Sequence, residues 1–310
     1  MKLPYVAATL IVGAQPEPHL PLALESIASA VDFCVVDYNG VQEDNYRALQ
    51  ESRLYREGRL QIGESQWQNF AQARNHTLAM LPPQTEWFMR LDADEVHFPE
   101  QLQILTRQLL PALSPRVGML DCYSQAFAFS WDYLLPLVRR HDFLIRYHPG
   151  MRWERGIHEQ LSGRQGIRVA APYLFHHYAT LNDPQVLIKK HQNYDRLTAA
   201  EPSLPPNPFH ADTAAAWLGY YLPQILKYRS GLFPELPRHW AHNPKLQPPY
   251  MDFYKERLER LLAGKTPPPQ RGQLRRILFR LPALLLQLRS WAAIRAALSL
   301  VPLLRRELAS

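Results

Sequence analysis

The sequence predicts an α/β fold, a mainly parallel sheet flanked by helices, and three observations carry that prediction. Short β-rich runs recur at 5–12, 33–36, 59–63 and 87–91. Helical stretches separate them at 20–30 and 68–80. Two of the runs end abruptly in acids, Asp37 and Asp92. Strand, helix and strand at this spacing build parallel pairs, and ligands of such sheets sit beyond the carboxyl ends of the strands.

A chain of 310 residues with 46% apolar content is long enough for one large domain or a core domain with appendages. The net charge of +7 is unevenly placed. Residues 271–310 carry eight arginines against the single acid Glu307, so the body before them is balanced and the basic character belongs to the tail. The two cysteines, Cys34 and Cys122, each stand in an apolar strand-like run and read as buried reduced thiols of a cytosolic protein. The apolar start of the chain has Pro16 and Pro18 where a leader would be cleaved, which marks a first strand instead of a signal peptide.

The elements follow in order. After the acids at 92–95 a helix is expected over 100–110, a strand over 117–123, and a pair of strands at 137–140 and 143–146. A run ending in Phe175-His176-His177-Tyr178 closes the domain. Beyond it, helices are expected at 186–199, 211–228 and 251–263, with a proline-rich loop at 202–208. Trp217, Tyr220, Tyr221 and Tyr228 at helical spacing read as core, in a region with room for an acceptor.

The run Trp87-Phe88-Met89-Arg90-Leu91 leads into Asp92-Ala93-Asp94-Glu95. Residues two apart in an extended segment share a face, so Asp92 and Asp94 offer oxygen ligands together. Such a pair suits Mg²⁺ or Mn²⁺, which complete their shell with water and phosphate oxygens. An EF-hand is excluded, because its sixth loop position, counted from Asp92, is His97 and not Gly. His177, or His176 beside it, is a candidate third ligand, since neutral imidazole binds such metals.

Asn69-Phe70-Ala71-Gln72-Ala73-Arg74-Asn75, then Glu86-Trp87 and the strand into Asp92-Ala93-Asp94-Glu95, resembles the family 2 glycosyltransferases of the GT-A, Rossmann-like fold. It is similar in particular to a bacterial branch that builds lipopolysaccharide core or polysaccharide. Met151-Arg152-Trp153-Glu154-Arg155-Gly156-Ile157-His158-Glu159 is similar to that branch's Trp-x-x-x-Ile-His-Glu segment. The resemblance covers about 5–180. It implies a nucleotide-sugar donor, most often UDP-linked, and direct displacement with inversion. It also implies that Asp37 contacts the base or ribose and that Arg74 and Asn75 line the donor pocket with Asp92. Glu159 is the expected base for the acceptor hydroxyl, with Asp121 the alternative. His158 is placed to orient that base or touch phosphate. The chain departs from the pattern twice: Tyr38-Asn39-Gly40 stands after Asp37, and Glu17 is the stand-in for a missing Asn-Glu-Glu at the first strand.

Three regions are therefore expected: a nucleotide-sugar-binding catalytic domain over 1–180, a helical acceptor-side subdomain over 181–265, and a proline linker with a basic tail over 266–310. The tail's longest charge-free runs, at 281–288 and 296–304, are too short to cross a bilayer, which needs about 20 residues. Arginine-rich and leucine-rich, it suits the membrane interface. That places the protein at the inner face of the cytoplasmic membrane, with an acceptor built on lipid or on a cell-surface glycan. No aromatic-basic module points to nucleic acid. Two rivals are a sugar nucleotidyltransferase, for which Val12-Gly13-Ala14-Gln15 is too sparse a phosphate loop, and a non-catalytic membrane-bound scaffold.

Overall fold

The computed structural model describes residues 3–201 apart from 41, 129, 180 and 183. In chain order they form β1 (Val6–Val12), α1 (Leu20–Ile27), β2 (Phe33–Tyr38), α2 (Glu43–Glu51), α3 (Arg53–Arg56), β3 (Leu60–Glu64), α4 (Phe70–Ala79) and β4 (Trp87–Asp92). Then come β5 (Glu95–Val96), α5 (Pro99–Ile104), a wide π turn (Leu105–Leu109), α6 (Leu110–Ala112), β6 (Val117–Ala128), β7 (Ser130–Arg146), β8 (Arg152–Glu154), β9 (Gln160–Ser162), β10 (Ile167–His177) and α7 (Pro184–Ala199). The subdomain expected to 265, from residue 202 on, and the basic tail lie outside the described residues.

One eight-stranded sheet runs β3-β2-β1-β4-β7-β6-β10-β5, with a separate hairpin β8-β9. The pairs β3-β2, β2-β1, β1-β4 and β6-β10 are parallel, and β4-β7, β7-β6 and β10-β5 are antiparallel. This is the α/β class expected. β1 and β4 sit in the middle, covered on both faces, which is why they read as unbroken apolar runs. Their Leu10, Val12, Met89 and Leu91 join Leu20, Leu24 and Leu102 in the main core. Cys34 and Cys122 are free and buried.

Two expectations need correction. The strands expected at 137–140 and 143–146 are one strand, β7, paired along its length with β6. The polar segment between them finds partners without a turn: Arg168 of β10 and Arg164 in the loop before it both bond Asp142, and Ser124 meets His141 across the pair at 2.7 Å. The helix expected over 100–110 starts at Pro99 and opens into the π turn before α6. Pro111 has no N–H, and its ring would crowd the carbonyl of Arg107, so the helix widens there.

Local chemistry sets where α4 begins. Asn69 is extended, and its Oδ1 accepts a hydrogen bond from the Gln72 N–H at 2.9 Å, an N-cap one turn before Arg74. At the other side of the sheet Gly118 is obligatory: a Cβ there would meet the Gln165 carbonyl oxygen at 1.7 Å. No helix among the described residues is long and apolar enough to cross a membrane.

Candidate active site at the carboxyl ends of the central strands

The parallel half of the sheet lines up its acids. Gly63, Asp37, Ile11 and Asp92 form one register row across β3, β2, β1 and β4. Two strand spacings, roughly 9.5 Å, separate Asp37 from Asp92. α4 packs across β1 and β2, and two of its side chains reach the two acids.

At Asp37 the carboxylate is fully buried and already engaged. His76 Nδ1 lies 2.7 Å from one oxygen, while Asn39 Nδ2 and Ser65 Oγ donate to the other at 2.7 and 2.9 Å. Gln72 donates to Ser65 at 3.3 Å and extends the network. The surface it offers a ligand is therefore made of Asn39, Ser65 and the partly exposed His76 ring, with Asp37 underneath.

At Asp92, the buried Arg74 guanidinium makes an ion pair with one oxygen, donates to the Leu91 carbonyl at 3.2 Å, and through Nε donates to Glu159 at 3.2 Å. Arg90 approaches the second oxygen at 3.7 Å. Burial works against ionisation of Asp92, but Arg74 and Arg90 outweigh it and hold the carboxyl well below its usual range. Asn75, adjacent in sequence, goes elsewhere: Nδ2 donates to the Trp153 carbonyl and Oδ1 accepts from its N–H, each at 2.8 Å. That ties α4 to β8.

Asp94 follows in the turn after β4, and a strand pairing brings His177 to it. β5 runs antiparallel to β10, with Glu95 opposite His177, and the Tyr178 N–H donates to the Asp94 carbonyl at 2.7 Å. His177 Nε2 then lies 3.2 Å from Asp94 Oδ1, and Lys190 of α7 donates to Oδ2 at 3.1 Å. Burial alone would keep Asp94 protonated and His177 neutral. Lys190 and then His177 instead hold Asp94 well below its usual range, and Asp94 pushes His177 up. Burial raises two acids nearby, Glu95 to about 8 with the help of charged Asp92, and Glu17 to about 7. His176, stacked edge-on against Phe98 and Phe127, is driven by burial down to about 3.

The β8-β9 hairpin carries the remaining expected residues. Its loop holds Arg155 and His158 at positive φ, 71° and 51°, uncommon for residues with a Cβ. His158 is exposed, while Glu159 is largely covered and bound by Arg74. The Phe70 N–H donates to the Gly156 carbonyl at 3.1 Å, so the loop is pinned to the start of α4. Asp121, the alternative base, is fully buried in β6 with both oxygens 2.6 Å from Arg168 Nε.

The three residues expected to ligate a metal do not gather as a trio. Among the described residues no group of three or more His, Cys, Asp or Glu has metal-site spacing. Asp94 and His177 do meet, whereas Asp92 belongs to Arg74. Two adjacent ligands of an octahedral Mg²⁺ stand about 3 Å apart, given bonds of roughly 2.1 Å. The 3.2 Å between His177 Nε2 and Asp94 Oδ1 is the distance of a hydrogen-bonded ion pair, so a cation bound by both would take the place of the proton between them. A cation held by two protein ligands and completed by water and phosphate fits this donor set.

His76, Ser65 and Lys190 are among the members of the site that were not foreseen. His76 is two residues from Arg74, a spacing that shares no helix face, so no pattern marked it. Ser65 sits in a short loop. Lys190 follows Val186, Leu187 and Ile188 in an ordinary amphipathic helix, and only the folded chain brings it to Asp94.

No family model and no curated protein matches this sequence. Among solved structures it is similar to the mannosyltransferase PcManGT from Pyrobaculum calidifontis in complex with GDP-Man and Mn²⁺, with 14% identity over 97% of this chain and 86% of that one and a TM-score of 0.42. It is also similar to TarS residues 1–349 from S. aureus, with 11% identity over 83% of this chain and 90% of that one and a TM-score of 0.36. A third is the 4-diphosphocytidyl-2C-methyl-D-erythritol synthase from Anaerococcus prevotii, with 11% identity over 70% of this chain and 84% of that one and a TM-score of 0.30.

Proposed function

We propose that the chain is a metal-dependent glycosyltransferase of the GT-A type, family 2, that moves a sugar from a nucleoside diphosphate donor to a lipid-linked or cell-surface glycan acceptor. One observation supports this reading: the β5-β10 pairing brings an acid and an imidazole, Asp94 and His177, together at the carboxyl ends of the strands.

Asp94 and His177 are the residues that would hold Mg²⁺ or Mn²⁺. The bound cation would offset the charge of the departing diphosphate. Asn39, Ser65 and His76 form the nucleoside rim, backed by Asp37. Arg74 fixes Asp92 and Glu159 relative to each other. Glu159 accepts the proton of the attacking hydroxyl, in a direct displacement that inverts the sugar. Its loop is strained at His158 and bonded to α4, a preorganised mount for that role. Asp121, clamped by Arg168, suits a structural post better than a base, and Asn75 is a strut to β8. A UDP-linked donor is favoured.

The arginine- and leucine-rich composition of the tail supports a seat for this activity at the inner face of the cytoplasmic membrane. A chain truncated after Lys265 is expected to lose binding to anionic liposomes, and undiminished binding would remove the membrane from the proposal.

Calorimetry tests the site itself. UDP or GDP is expected to bind the native chain with Mn²⁺ and to bind about tenfold more weakly without it. His177→Gln should erase that difference. A nucleotide affinity indifferent to Mn²⁺ would contradict the reading.

A further inference from the structure

Resting on the function proposed above, Lys190 takes a part that neither its sequence context nor the acidic motif announces. Its ammonium donates to Asp94 Oδ2 at 3.1 Å, while His177 lies at the other oxygen. In the free protein both oxygens of the acid that would hold the cation are therefore already faced by nitrogen. Asp94 is 8% exposed, and Lys190 keeps 28% of its side chain in reach of solvent. A lysine so placed is neither an ordinary surface pair nor a sealed core pair.

α7 lies over the site by a second contact. Tyr194, one turn after Lys190 on the same helix face, meets Phe70 edge-on at 5.6 Å. Phe70 starts α4, the helix whose Arg74 holds Asp92 and Glu159. Lys190 thus stands on the face of α7 turned to the acids.

A divalent cation on Asp94 and His177 cannot share this place comfortably with an ammonium bonded to the same carboxylate. Like charges at such separation repel strongly when partly shielded from water. Among the described residues Asp94 is the hydrogen-bond partner of Lys190, which leaves two ammonium protons and a flexible four-carbon stem available. A diphosphate beside the cation offers oxygens of the opposite sign at the same spot.

We propose that Lys190 is a diphosphate-binding residue that guards Asp94 in the free protein and moves from that carboxylate to the donor's phosphates when the cation takes its place. The lysine then couples the two ligands. Phosphate draws it off Asp94 and eases cation binding, the cation frees it for phosphate, and the two effects must be equal by linkage.

The experiment measures Mn²⁺ binding to the full-length protein from the free-ion electron paramagnetic resonance signal, alone and with saturating UDP or GDP. It compares the native chain with Lys190→Met and Lys190→Gln, the second keeping a polar side chain should the first fail to fold. Without nucleotide, both variants are expected to bind Mn²⁺ about tenfold tighter than the native chain. With nucleotide the gain in Mn²⁺ affinity should shrink by a similar factor, because the coupling residue is gone. Lys190→Arg should stay close to native. If the native chain binds Mn²⁺ and nucleotide but Lys190→Met and Lys190→Gln show unchanged Mn²⁺ affinity, the guard role is overturned alone. If the native chain binds no Mn²⁺ with either nucleotide, the inference falls together with the metal site.

Discussion

Arg74 Nε lies 3.2 Å from Glu159 Oε1, a residue 85 positions further along the chain, while its terminal nitrogens hold Asp92 and the Leu91 carbonyl. One guanidinium from α4 thus joins the end of the central strand β4 to the β8-β9 hairpin. A flexible lysine ammonium could not span both carboxylates.

Arg74→Met is therefore expected to damage both stability and turnover. It leaves the largely covered Glu159 without its cation and Asp92 with Arg90 alone, and should cost about 3 kcal/mol. Donor hydrolysis should fall by about two orders of magnitude, since Glu159 loses its placement. Arg74→Lys should regain part of the stability and little of the rate. Denaturant melts and nucleotide-release assays read the two effects separately.

Asn75→Ala tests the strut. Two hydrogen bonds to Trp153 would be lost, which should cost about 1–3 kcal/mol and loosen the hairpin that carries Glu159. The expected signature is a lower turnover with nearly unchanged nucleotide affinity. A large rise in the nucleotide dissociation constant would instead place Asn75 in the donor pocket.

His97 sets an acid limit on the fold. It is fully buried, stacked with Phe143 and Tyr173, with Nδ1 3.0 Å from the Tyr173 hydroxyl and Nε2 without a hydrogen-bond partner among the described residues. Burial drives it from the ordinary 6.5 down to about 3. A depressed folded-state value means that the unfolded chain binds the extra proton, so this contribution is complete above pH 6.5 and drains away as the pH falls towards 3. Native stability should drop by about 2 kcal/mol between pH 6.5 and 5 from this residue, and His97→Gln should remove that slope. Denaturant melts at the two pH values measure it.

The central part of this architecture was legible in the sequence for a simple reason. An apolar run that stops in Asp92-Ala93-Asp94 is a buried strand meeting a polar edge, and the acids mark the carboxyl end where such sheets bind ligands. Asp37 was legible in the same way. What could not be read is which partners the fold hands to each acid. Arg74 and Asn75 are neighbours in sequence, but consecutive residues of a helix face different directions. One turns to the strand ends and the other to β8. Asp92 and Asp94 read as a pair, yet the chain turns after β4 and sends Asp94 to His177 and Lys190. That meeting depends on β5 pairing with the distant β10, a register no local pattern encodes. The long β7 reads as two strands because its polar centre interrupts the apolar run, whereas in the fold its Asp142 is paired by Arg168 of β10 and by Arg164 in the loop before it.

The most direct measurement is nucleotide release from a panel of nucleotide-sugars in the presence of Mn²⁺, comparing the native chain with Asp94→Asn. Slow hydrolysis of one donor by the native chain is expected, with at least a roughly hundredfold loss in the variant, because the amide weakens the hold on the cation that offsets the diphosphate's charge. Equal hydrolysis by both chains, or no binding and no hydrolysis of any donor by the native chain, would contradict the proposed function.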